Sequence, residues 1–147
     1  MDSPRAHVRR ACVLDAERMS ELAAQLGYPL DAGDLAARLP VVTRSDDTLV
    51  AVVVDERDLP LGWIHVELKA TLLAPRTAQV MGLVVDEGAR SRGIGARLLE
   101  HGEAWARERG CRGMLIGTRV TRERAHRFYR RQGYDLLKTS HFFEKRL

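Results

Sequence analysis

The chain has 147 residues, 45% apolar and 30% charged, with a formal net charge of +4. Such a balance excludes a disordered chain, and the length suits one domain, residues 1–147, around one core. No apolar run approaches the ~20 residues of a membrane span, and Met1-Asp2-Ser3-Pro4 opens no signal-peptide core, so a cytoplasmic chain is expected.

Residues 7–12 read as a short first strand. Asp15 offers a helix N-cap, and Met19, Leu22, Ala23 and Leu26 follow at the spacing of an amphipathic helix. Gly27 fits its C-terminal end. A second short helix starts near Asp31, carries Leu35 and Leu39, and stops at Pro40. Residues 48–54 are a β-branched run, hence a buried strand. A polar turn joins it to a partner strand at 61–68. Residues 77–85 form a further strand, and Gly82 inside it marks a bulge or the close approach of another backbone or ligand. A polar loop from Asp86 to Gly95 leads into a helix over 94–108, ended by Gly110. A strand at 112–118 follows, then a helix capped by Thr121 whose apolar stripe is Ala125, Phe128, Tyr129 and Gln132. Gly133 ends it, and 134–138 and 140–146 read as two last strands. The order β-αα-βββ-α-β-α-ββ is that of an α+β or mixed-sheet domain.

The loop Arg90-Ser91-Arg92-Gly93-Ile94-Gly95 lies between a strand and a helix. Glycine lets a ligand touch the backbone. The first amides of a helix have no intrahelical partner and, with the helix dipole, attract phosphate oxygens. Arg90 and Arg92 add charge-assisted donors. There is no GxxxxGK[ST] loop, and the dinucleotide pattern GxGxxG/A lacks its third small residue. What remains is [QR]xxGx[GA], a pyrophosphate loop for coenzyme A, set against a plain strand-to-helix turn. The arginine cluster at 122, 124, 127, 130 and 131 fits nucleic acid, a phosphorylated cofactor or a solvated helix face. Histidines are scattered, Cys12 and Cys111 stand far apart, and no CxxC or HExxH pair occurs, so neither a metal nor a disulfide is expected.

Leu83-Val84-Val85-Asp86-Glu87 with Arg90 to Ala96, and Arg124 to Tyr129 with Gly133-Tyr134, resemble the two central motifs of the GNAT superfamily of N-acetyltransferases. The resemblance spans nearly the whole chain. It implies a central mixed, mostly antiparallel sheet of about seven strands flanked by about four helices. It implies acetyl-CoA as cosubstrate, its pantetheine arm on the backbone around Leu83, Val84 and Val85. Arg90, Ser91, Arg92, Gly93, Ile94, Gly95 and Ala96 then hold the pyrophosphate. Tyr129 matches the family tyrosine near the coenzyme A sulfur, where a phenol can protonate the leaving thiolate.

Two positions depart from the family. Arg122 stands where many members have asparagine, and it is still expected to contact the cofactor. Gln79 stands where protein-lysine acetyltransferases carry a glutamate base. An amine of pKa ~10.4 must lose a proton before it attacks a thioester. Glu67 and His65, two residues apart on the 61–68 strand, share one face and offer a base. The expected reaction is direct attack by a primary amine, of a small molecule, through a tetrahedral intermediate. Tyr28, Asp31, Asp34, Ser140 and Glu144 join Glu67 around the expected acceptor site, where carboxylates suit a cation. Acetylation of a protein or peptide amine and a sensor that binds acetyl-CoA without turnover are the alternatives. Nucleic-acid and membrane partners are not expected, and a homodimer is left open.

Overall fold

The computed structural model describes residues 6–90 and 92–147. By its contacts the chain divides into two units, Met1–Ile116 and Gly117–Leu147.

The first unit holds a five-stranded sheet in the order β1-β2-β3-β4-β5. Its strands are β1 (His7–Arg10), β2 (Thr48–Val54), β3 (Pro60–Lys69), β4 (Thr77–Val85) and β5 (Met114–Ile116). The first four pair antiparallel and β5 runs parallel to β4. Every residue of β2 is buried, because helices cover both faces of the sheet. Met19 of α1 (Ala16–Gln25) and Leu39 of α2 (Ala32–Val42) pack on Val50, Val52 and Val54. The Trp63 indole Nε1–H donates to the Met19 carbonyl across the same face (3.2 Å). On the other face lies α3 (Ile94–Glu108): a Cβ on Gly62 would meet Ile94 and Leu98 at 3.1 Å. The alternation along β3 follows, with Ile64 and Val66 buried toward α3 and Trp63, His65 and Glu67 toward α1 and α2.

Several boundaries differ from expectation. Asp15 does not cap α1 with its side chain. Its buried carboxylate takes both Nη groups of Arg9 at 2.8 Å and the Cys12 N–H at 2.8 Å. Burial alone would raise its pKa, but Arg9 and the Cys12 amide outweigh it and hold the acid below its usual range. The stabilisation is therefore complete above the unfolded pKa of ~3.9 and is lost as pH falls through the lower folded value. Asp15→Ala leaves Arg9, among the described residues, only Asp58 as an acidic partner, and we expect a loss of about 2–4 kcal/mol at pH 7. Chemical denaturation against pH checks it: the gap to the wild type should narrow as pH falls below the unfolded pKa of ~3.9 and close once pH is below the lowered folded value. Pro40 does not end α2, which runs to Val42; the N–H and hydroxyl of Thr43 both close on the Leu39 carbonyl (3.0 and 2.7 Å).

The second unit contains α4 (Glu123–Arg131). The cap expected at Thr121 is not formed: Arg122 is the N-cap residue and no side chain caps the helix, while the Thr121 carbonyl accepts the Glu123 N–H (3.1 Å). The strands expected at 134–138 and 140–146 do not form, so the sheet has five strands and not about seven. A strand exists only through a neighbour's hydrogen bonds, whatever its own β-propensity. Phe142 and Phe143 are 97% and 95% exposed, and no residue from 134 to 147 is in a strand. For the same reason β5 shrinks from the expected 112–118 to three residues flanked by Gly113 and Gly117.

Candidate active site

The site is built on a break in the sheet. His65 pairs with Gly82 and Val66 with Val80, so Met81 is an extra residue in β4. That is the bulge expected at Gly82, and its neighbour is Trp63. A Cβ on Gly82 would lie 2.8 Å from the Trp63 ring, so any side chain there would collide with the indole.

Past the bulge β4 keeps β3 and loses β5. The parallel register with β5 runs from Ala78 to Val80. Asp86 N–H donates to the Leu61 carbonyl of β3 (2.8 Å). Backbone groups of successive strand residues point to opposite edges. Val84 therefore turns toward β3 with Asp86, while Leu83 and Val85 present N–H and C=O along the edge that β5 no longer pairs. Of the three expected contacts, Leu83 and Val85 lie on that edge and Val84 does not.

The same strand then feeds the start of α3. Gly93 is its N-cap with φ of 76°, a left-handed conformation that favours glycine. Arg97 N–H is the first to reach back, to the Gly93 carbonyl (3.0 Å). The amides of Ile94, Gly95 and Ala96 therefore have no intrahelical acceptor. The Ile94 side chain is buried, so toward a ligand it offers its amide alone. Arg90 is half-buried and Arg92 exposed; Ser91 lies outside the described residues. An unpaired strand edge leading to open helix amides fits the two parts of acetyl-CoA, an amide-bearing arm and a pyrophosphate.

Two residues that sequence reasoning missed hold this turn in place. Gln25, the last residue of α1, donates from Nε2 to Asp86 Oδ1 (2.9 Å), and its Oε1 accepts the Glu87 N–H (2.8 Å). Arg18 donates to the Pro60 carbonyl (3.0 Å) and lies 3.6 Å from Asp86 Oδ2. These contacts span up to 68 residues of chain, and no local pattern announces them.

On the α1/α2 face, beside the bulge, His65 and Glu67 come together: Nε2 lies 3.5 Å from Glu67 Oε1. Glu67 is flanked in register by Thr48 on β2 and Gln79 on β4. Burial pushes the His65 pKa below its ordinary value, and Glu67 opposes that only in part. His65 is therefore neutral at pH 7. In the second unit, Tyr129 packs its ring against Phe128 (centroids 5.4 Å apart) and Tyr134 (6.3 Å). Arg122 is the N-cap residue of α4. No group of three or more metal-ligating side chains occurs among the described residues, and no helix among them is long and apolar enough to cross a membrane.

Comparison with known proteins bears on this geometry. Residues 13–134 match the model of the acetyltransferase (GNAT) family. An aminoalkylphosphonate N-acetyltransferase of Salmonella typhimurium is 41% identical over 64 residues, 44% of this chain and 40% of the relative. The match thus spans less than half the length of either protein. Among solved structures, an aminoglycoside N-acetyltransferase, AAC(6')-Iy, in complex with CoA superposes with a TM-score of 0.81 at 16% identity, covering 96% of this chain and 100% of that one. A protein from Bacillus halodurans described as a transcriptional regulator gives 0.79 at 22%, covering 97% and 99%. At such identities these two likenesses concern the fold.

Proposed function

Since the chain belongs to the GNAT acetyltransferase family, we propose that it transfers the acetyl group of acetyl-CoA to a primary amine of a small molecule. The observation that carries this is the unpaired edge of β4 at Leu83 and Val85, continuous with the open amides of Ile94, Gly95 and Ala96. The edge pairs with the pantetheine amides. The helix start and Arg90, Ser91 and Arg92 hold the pyrophosphate, with Arg122 as a further contact. Acetyl-CoA supplies an activated thioester. His65 and Glu67 lie beside the bulge, where the edge begins, and provide the base. Tyr129 provides a proton to the leaving sulfur. The likeness to an aminoalkylphosphonate acetyltransferase supports a small acceptor, and Glu67 suits one that arrives as an ammonium.

The test has two steps. Acetyl-CoA should raise the melting temperature, because a ligand that binds only the folded state stabilises it; at a concentration ~100 times Kd the gain is about 2.7 kcal/mol. ATP and NAD should give much less, and a larger shift with ATP would remove the coenzyme A assignment. A panel of aminoalkylphosphonates, aminoglycosides, polyamines and peptides, followed by a thiol reagent, then reads transfer. Binding without thiol release from any amine would make the protein a sensor instead.

A further inference from the structure

We propose that His65 is the catalytic base that deprotonates the acceptor ammonium, and that Glu67 is a positioning residue that orients the imidazole and stabilises its charged form. The proposal rests on the acetyl-transfer reading and divides between two residues a role that either could fill.

The geometry separates them. His65 is the β3 residue directly opposite Gly82, beside the bulge where β4 gains its free edge, whereas Glu67 is two positions farther toward the hairpin. Among the described residues His65 Nε2 is sealed from solvent and has no hydrogen-bond partner, and Glu67 Oε1 lies 3.5 Å from it. The carboxylate favours the tautomer protonated on Nε2, which leaves the lone pair on Nδ1 for the acceptor. Val50 and Gly82 face His65 from β2 and β4, and neither is charged. On β3 itself, Glu67 and Lys69 share its face. Of the helices over this face, α1 carries Glu17, Arg18 and Glu21 and α2 carries Asp34 and Arg38. Arg18 is engaged with Pro60, Glu21 and Asp86, and the charge that acts on His65 is that of Glu67.

The step balances. His65 takes one proton from the ammonium, and the neutral nitrogen attacks the acetyl carbon. As the carbon–sulfur bond breaks, the sulfur receives a proton from Tyr129, which the proton shed by the new amide nitrogen restores. His65 returns its proton to solvent. The products are the acetamide, the free thiol and one proton.

A base and a packing residue differ in their pH dependence. At pH 7 about one amine in 2,500 of pKa 10.4 is neutral, so enzymatic deprotonation matters most there. His65→Gln should lower kcat/KM about hundredfold at pH 7. The loss should shrink toward pH ~10, where the amine deprotonates itself. A structural role would give a loss independent of pH. In Glu67→Gln the acidic limb of kcat/KM should move to lower pH, because Glu67 raises the His65 pKa, and the imidazole resonance followed by NMR should move with it. That titration needs no turnover, and His65→Gln identifies the resonance. A folded His65→Gln enzyme within about threefold of the wild type at pH 7 would overturn the assignment, as would a limb and a resonance that ignore Glu67→Gln. A wild type that binds acetyl-CoA but acetylates no amine overturns the transfer reading itself, and this proposal with it.

Discussion

Gly95→Val should weaken acetyl-CoA binding about hundredfold while leaving the apo protein as stable as before. The two glycines of the loop are there for different reasons. Gly93 has φ of 76°, so backbone conformation alone accounts for it. Gly95 lies in the first turn of α3 and does not have positive φ. Any L-residue can adopt its backbone, and valine is intrinsically a slightly better helix former than glycine. Backbone conformation therefore does not require glycine at Gly95. In the proposed function a phosphate lies on the amides of Ile94, Gly95 and Ala96, and a branched side chain at Gly95 would hold its oxygens off the N–H groups. Hydrogen bonds to a charged group contribute ~1.5–3 kcal/mol each, so displacement from one or two amides gives the hundredfold loss. Calorimetric titration with acetyl-CoA, beside a melting curve of each apo protein, measures both quantities. Unchanged affinity in a folded variant would remove the loop from the site.

The parts of this site legible in the sequence were those whose cause is local. The β-branched run of β2 announces a strand buried on both faces, and Gly93 announces a turn that leads into a helix. Gly82 announces an irregularity in β4, although the reason for it, the Trp63 ring on the neighbouring strand, is not local. His65 and Glu67 share a face through the period of two in any strand, so their approach could be expected before their distance was known. The clamp of Gln25 on Asp86 and Glu87 could not, since a glutamine at a helix end says nothing of a loop 61 residues away. Asp15 shows a subtler limit. Its position before α1 suited a cap, yet the half-buried guanidinium of Arg9 binds a carboxylate more strongly than a neutral amide does. Strand propensity at 134–146 misled for a further reason: propensity describes a residue's comfort in a pleated surface and carries no information about whether a partner strand is present.

Tyr129→Phe should lower kcat at least tenfold and leave acetyl-CoA affinity nearly unchanged. The substitution removes one oxygen and keeps the ring that packs on Phe128 and Tyr134. A proton or hydrogen bond offered to the sulfur becomes valuable only as that sulfur gains charge. Its loss therefore falls on the transition state and spares the ground state. General acid catalysis contributes ~10²–10⁴-fold, and water standing in for the phenol would recover part of it. The leaving group gives a second handle. If Tyr129 protonates the sulfur, acetyl donors with more acidic thiols should need it less, so the ratio of wild-type to variant kcat should fall as the thiol pKa falls. A tyrosine that only packs would instead leave kcat near that of the wild type and that ratio flat. Measured with an accepted amine and with chemistry limiting the rate, a folded Tyr129→Phe protein with wild-type kcat would rule out any part for the hydroxyl in expelling the thiolate.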